Sequence, residues 1–372
     1  MTKVVTRGAK AKHRAGVVGA VIGVLAAGVA AGVATERALL RRTRRGTADP
    51  YAEERFGELP HDETCVVSAP DGTDLYVEIV EPVDGLELDA DFAARVVGAP
   101  PLEPTVVFVH GFCLDMGTFH FQRKEMTRRG DYRMVFYDQP GHGRSGKLEA
   151  GDYELASLGE ALRAVIDATV PEGPIVLVGH SMGGMTIMAF AELYPELFGD
   201  RVAGVVLMAT SGGRLEEAKL SIPSLAARLT PLLPLVNSTT GNVIDRARQA
   251  SSDLAWLLTR RYGFGDARPS PALVSYVEEM NSRTTAETVA RYLRTLYTHA
   301  RYPALATLRE TPTLVIVGDK DMITPLTHSE EIVRHLPDAE FVTVPDSGHV
   351  VMLEHAAEVN AALDEFLGKI GR

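Results

Sequence analysis

Between Ile175 and Phe190 the chain reads Ile-Val-Leu-Val-Gly-His-Ser-Met-Gly-Gly-Met-Thr-Ile-Met-Ala-Phe, a strand pattern running directly into a helix pattern. The apolar run ending at Val178 fits a strand buried on both faces, and the apolar stretch from Met182 fits a helix. A junction this short forces a tight turn with a strained residue at its apex. The residues two positions away on either side must then lack a side chain that would clash, and Gly179 and Gly183 meet that need. Ser181 at the apex is thereby pushed out at the carboxyl edge of a sheet, at the start of a helix. A serine that merely capped the helix would not need both glycines; G-x-S-x-G in a strand, turn and helix context predicts a nucleophile.

Five further short apolar runs resemble the one before Ser181: Thr105–His110, Tyr132–Asp138, Val202–Met208, Thr313–Val317 and Glu340–Val344. Helical patterns over Ser157–Thr169, Met182–Leu193, Ser329–Leu336 and Ala356–Leu367 separate most of them, which predicts an α/β fold with a mostly parallel sheet. Ahead of them, Glu63–Ser68 and Leu75–Val80 alternate around Pro70-Asp71-Gly72, the signature of an antiparallel hairpin. Residues 212–308 break the rhythm with Leu- and Ala-rich stretches interrupted by prolines. An interval of that length is far beyond a loop, and it predicts a helical cap over the sheet. Its Leu220, Leu225, Leu229, Leu232, Leu233, Leu235 and Trp256 suit either an apolar substrate pocket or the helices' own packing faces.

Serine is a weak nucleophile near neutral pH and needs a base to take its proton. His349, in Pro345-Asp-Ser-Gly-His349 after the last strand-like run, is the candidate base. Asp321, in Gly318-Asp-Lys-Asp321 after the preceding run, is the candidate acid that holds the imidazole ring, with Asp319 and Asp346 as competitors. The order Ser, Asp, His along the chain is the one that accompanies this kind of turn. An attacked carbonyl develops a negative oxygen that needs donors already in place. The backbone N–H groups of Met182 and Phe112 are the candidates, and Gly111 lets the second approach closely. His110 reads as a structural side chain of that loop, and the Asp138 to Ser145 segment as a structural turn in which Asp138 pairs with Arg144.

These segments, Val109-His-Gly-Phe112, Tyr137-Asp-Gln-Pro-Gly-His-Gly-Arg-Ser145, Gly179-His-Ser-Met-Gly-Gly184, Val317-Gly-Asp-Lys-Asp321 with Pro325, and Ser347-Gly-His349, resemble the α/β-hydrolase fold superfamily over roughly Glu63 to Leu367. The resemblance is to its esterase, lipase and cofactor-free haloperoxidase branch. It implies an eight-stranded sheet with a cap after the sixth strand, no cofactor and no metal. Serine at position 181 argues against members that use an aspartate nucleophile. The expected reaction is hydrolysis of a carboxylic ester through an acyl-enzyme. Peroxide-dependent, thioester or carbon–carbon bond chemistry remain open on the same three residues, as does a non-catalytic binding protein.

Composition bounds the rest. Residues 1–45 carry ten Lys or Arg against the single Glu36, leaving 28 basic and 48 acidic residues beyond them. A body so acidic repels phosphates, which argues against nucleic acid as a partner. After a basic tail at 1–14, residues 15–35 contain no charge and are long enough to cross a bilayer as a helix. A membrane anchor is the expectation, with a cleaved secretory signal or a soluble helix as rivals. Basic residues on both sides leave its orientation open. Residues 36–60 read as a polar linker, 61–211 and 309–372 as the two parts of the core. Cys65 and Cys113 are too few for a disulfide framework.

Overall fold

The computed structural model describes residues 49–83, 103–149, 153–215 and 252–370. Eight strands, β1 (Glu63–Ser68), β2 (Asp74–Val80), β3 (Thr105–Val109), β4 (Met134–Tyr137), β5 (Ile175–His180), β6 (Val202–Met208), β7 (Thr313–Gly318) and β8 (Glu340–Val344), form one sheet in the order β1-β2-β4-β3-β5-β6-β7-β8. The first two make the expected antiparallel hairpin, Glu63 opposite Ile79 and Ser68 opposite Asp74. β2 joins β4 antiparallel, and every later pairing is parallel.

From β3 to β7 the continuous apolar runs follow from burial on both faces, whereas β8, at the sheet edge, exposes Phe341 and Thr343. Along β3, Val106 and Phe108 enter one core while Val107 and Val109 enter the other. Helices Leu155–Thr169 and Met182–Leu193 cover the second core, and Ala356–Ile370 covers the first. One helix the sequence did not announce, His120–Arg129, lies on that same side. Its inward face is polar: Gln122 donates to the Met352 carbonyl (3.1 Å) and to Asn360 (2.9 Å), and Arg123 to Glu78 (2.6 Å). A helix whose buried side is hydrogen-bonded has no apolar stripe to read.

β3 pairs with both β4 and β5, so the strand order changes direction between them. In open α/β sheets the crevice outside the carboxyl ends at such a point is where ligands bind. Ser181 follows β5 there.

Between β6 and β7 the described residues hold helices Ser252–Gly263, Pro271–Arg283 and Ala286–Thr298, then a 3-10 segment Tyr302–Glu310, and no strand. Entry and exit of this interval are joined by a bridge between Gly213 and Ala300. The leucines singled out at 220–235 and the Trp256 side chain lie outside the described residues. So do the basic tail at 1–14 and the charge-free segment 15–35. Among the described residues, no helix is long and apolar enough to cross a membrane.

The expected linker gives way to packed structure before residue 60. Asp49 accepts from Ser270 Oγ (2.6 Å) and the Ala272 N–H (2.9 Å), and Phe56 stacks on Tyr276 with ring centroids 4.5 Å apart. Residues 49–60 thus strap the helix Pro271–Arg283 to the core, a role that their polar composition concealed.

Candidate active site

Ser181 stands at the apex of the turn with φ 51° and ψ −116°, a region that non-glycine residues rarely occupy. Its side chain caps nothing in the helix that follows. The glycines around it are there for the reason expected. A Cβ on Gly183 would lie 1.9 Å from the Val109 carbonyl oxygen, and one on Gly179 would lie 2.6 Å from Ile187 Cδ1. Thr210 Oγ1 donates to the Ser181 carbonyl (2.6 Å), tying the turn to the end of β6.

The hydroxyl instead meets the imidazole. Ser181 Oγ lies 3.0 Å from His349 Nε2, and His349 Nδ1 lies 2.9 Å from Asp321 Oδ2. All three residues are buried. With Nδ1–H donating to the carboxylate, Nε2 carries a lone pair that faces the serine. Asp321 is held by every lone pair it has: Oδ1 accepts the N–H groups of Ile323 (2.7 Å) and Thr324 (2.9 Å), and Oδ2 accepts Thr324 Oγ1 (2.8 Å) as well as the ring. The competing acids fall away from the ring. Asp319 is exposed, and Asp346 pairs at the surface with Lys320.

Phe112 and Ser181 line one cavity of about 280 Å³. The loop between them and β3 runs hard against the serine, since a Cβ on Gly111 would sit 3.2 Å from Ser181 Cβ. Met182 opens the helix Met182–Leu193, so its N–H belongs to the first turn, which has no intrahelical acceptor. The cavity walls are Leu114, Met185, Leu215, Val277, Leu296 and Val350 with Leu258, Tyr262 and Tyr297 of the inserted helices; Thr259 and Asn281 are polar, and among the described residues no Asp, Glu, Lys or Arg lines it.

Supporting side chains come from places the sequence reading did not mark. Thr324 Oγ1 touches Asp321, the Ala209 carbonyl (2.8 Å) and His349 Nδ1 (3.3 Å). The spacing Asp321-x-x-Thr324, an Asx-type turn, was the available signal. His180 Nε2 donates to the His349 carbonyl (3.0 Å), while its Nδ1 faces Gly111. His110 is structural: Nε2 accepts the Gln139 N–H and Nδ1 donates to the Gly111 carbonyl. Asp138 does not pair with the Arg144 guanidinium. Its oxygens accept the backbone N–H groups of Met116 and Arg144, and the guanidinium goes to Glu78 and the Tyr76 ring. Arg144 lies further exposed than a buried pair allows, and two backbone donors already occupy the carboxylate.

A model of the α/β-hydrolase fold matches residues 104–356. The chain belongs to the α/β-hydrolase fold family. It is 30% identical over 281 residues to the dihydrolipoyllysine-residue acetyltransferase component of an acetoin cleaving system from Pseudomonas putida, covering 73% of this chain and 64% of that protein. It is 27% identical over 269 residues to an sn-1-specific diacylglycerol lipase of Mus musculus, covering 71% and 81%. Among solved structures it resembles a thermophilic esterase from Thermogutta terrifontis with a TM-score of 0.61 at 23% identity, covering 84% of this chain and all of the other, which speaks to the fold. No disulfide joins its two cysteines.

Burial around the α/β-hydrolase site sets its response to acid. Burial pushes the His110 imidazole down to about 4, His142 to about 3 and His299 to about 4, and holds His180 well below the usual histidine range of 6.5. An unfolded chain protonates all four below pH 6.5 while the folded chain keeps them neutral, so in that window the unfolded state binds more protons and stability falls with pH. Asp138 works in the opposite sense: burial, then the nearby Asp115, raises its carboxyl from 3.8 to about 7, so the folded chain retains that proton when the unfolded one has released it. Burial lowers His120 in the same sense, so five histidines against one carboxyl leave unfolding near pH 5 coupled to a net uptake of protons. Urea unfolding measured between pH 7 and pH 4.5 is expected to show stability dropping steeply as the pH falls. A flat profile would contradict the assigned burial.

Proposed function

We propose that this α/β-hydrolase cleaves carboxylic esters whose acyl or alcohol part is apolar and uncharged. The observation that carries the reading is the unbroken line from Ser181 Oγ through the His349 ring to Asp321, opening on a cavity without a charged wall among the described residues. Ser181 attacks the carbonyl carbon as His349 Nε2 takes its proton. The developing oxyanion lies against the N–H groups of Phe112 and Met182, and Asp321 stabilises the imidazolium. Collapse breaks the ester bond, and the leaving alkoxide takes the proton from His349. Water, deprotonated by the same ring, then releases the acid and restores Ser181. No metal or cofactor enters these steps.

The acyl-enzyme chemistry is open to neutral substrates because a charged group in this cavity would be desolvated without a partner. Residues 15–35, as a membrane anchor, would hold the site near such lipophilic esters; this extension rests on their composition alone. The test is a panel of p-nitrophenyl esters. From acetate upward kcat/KM should rise by up to about fourfold per methylene until the cavity is full, since each buried methylene is worth about 0.8 kcal/mol. A hemisuccinate of equal length should be turned over at least about tenfold less well. Preference for the charged ester, or no turnover of any, would overturn the proposal.

A further inference from the structure

Glu354 lies outside the three reacting residues, five positions after His349, yet two separate pieces of backbone converge on its carboxylate. Oε2 accepts the Gly348 N–H (2.6 Å) from the loop that presents His349. Oε1 accepts the N–H groups of Gly265 (2.9 Å) and Asp266 (2.7 Å), which follow directly on the inserted helix Ser252–Gly263. The two pieces are also pressed together. A Cβ on Gly265 would lie 2.4 Å from the Ser347 carbonyl carbon, and one on Gly348 would lie 2.6 Å from Gly265 N. The Val350 N–H donates to the Gly263 carbonyl (3.1 Å), closing the contact from the other side of the histidine.

The same helix Ser252–Gly263 turns Leu258, Thr259 and Tyr262 toward the cavity. Its cavity-facing side chains and its pinned end are therefore parts of one rigid segment. On the opposite flank the His349 loop is fixed to the acid loop, the Lys320 N–H donating to the Ser347 carbonyl (2.9 Å). The base is thus held between the element that carries Asp321 and the helix that lines the cavity.

We infer that Glu354 is a positioning residue that locks the His349 loop to the cap, so that filling of the cavity against Leu258 and Tyr262 is transmitted to the placement of the base. The inference rests on the reading of Ser181, His349 and Asp321 given above. A carboxylate is required because acceptors must face both ways. Glu354→Gln keeps the shape but turns an NH2 group toward one of the two sets of N–H donors, releasing either the cap or the base loop.

The full chain carrying Glu354→Gln is compared with the wild type on p-nitrophenyl acetate and on a long-chain ester. Wild-type kcat, not only kcat/KM, is expected to rise with chain length. In the variant the long ester should lose about tenfold in kcat with KM changed by less than about twofold, while acetate loses less than about twofold. Equal losses on both esters, no loss on either, or a wild-type kcat indifferent to chain length would each overturn the coupling. Wild type that turns over neither ester and takes no phosphonate on Ser181 would instead overturn the hydrolase reading itself. Should the variant fail to fold, hydrogen exchange on the wild type decides. A long-alkyl phosphonate on Ser181 is expected to slow exchange in peptides spanning both 263–268 and 346–350, and a methyl phosphonate only in the second. Identical protection by the two probes would overturn the inference.

Discussion

Ser181→Ala is expected to lower kcat on p-nitrophenyl esters by about 10⁵-fold or more while leaving the thermal midpoint within a few degrees of wild type. The hydroxyl lies 3.0 Å from His349 Nε2 and makes no capping bond, so its loss removes the reacting oxygen without orphaning a backbone group. The strained backbone, φ 51°, is borne by alanine as it is by serine. Gly179 and Gly183 still relieve the turn on either side. Activity and fold should therefore separate cleanly in this variant, with steady-state kinetics and a thermal melt as the two readouts. Retention of more than about 1% of kcat in protein freed of contaminating esterase would remove Ser181 from the chemistry.

Asp321→Asn should cost about 10⁴-fold in kcat, for a reason specific to its hydrogen bonds. Two backbone N–H groups, of Ile323 and Thr324, hold Oδ1, so an asparagine will place its carbonyl oxygen there and its NH2 where Oδ2 was. That NH2 faces His349 Nδ1, which must then become an acceptor. The ring proton moves to Nε2 and points at Ser181 Oγ, which is the wrong tautomer for a base. Thr324 Oγ1 keeps an acceptor in the Ala209 carbonyl, so the loop itself survives. The check is kcat together with the rate of phosphonate labelling, both of which should fall while the melt changes little. A loss of less than about tenfold would show that the ring is oriented by something other than Asp321.

The fold was legible in the sequence wherever apolar runs were continuous. β3, β4, β5, β6 and β7 lie buried between helical layers, and burial on both faces writes itself as long apolar residues without alternation, whereas β8, at the sheet edge, leaves Phe341 and Thr343 exposed. The turn at Ser181 was legible because its geometry demands glycines at fixed offsets. Ser181 and Asp321 each come within hydrogen-bond reach of His349 because all three follow parallel strands at the same sheet edge, which is a matter of topology. What stayed hidden was polar. The helix His120–Arg129 buries hydrogen-bonded Gln122 and Arg123 in place of an apolar stripe. Residues 49–60 read as solvated linker because the cue, Asp49 capping Ser270 and Ala272, depends on a partner more than 200 positions away. Glu354 and Thr324 were silent for the same reason: their meaning lies in which backbone N–H groups or side chains they meet.

The most direct measurement is mass spectrometry of the full chain after reaction with an alkyl fluorophosphonate, beside Ser181→Ala. One phosphonyl group on the peptide that contains Ser181, absent from the alanine variant, is the expected result. A folded wild type that takes no label, or carries it at another serine, would contradict the assignment of Ser181, His349 and Asp321 as a working nucleophile, base and acid.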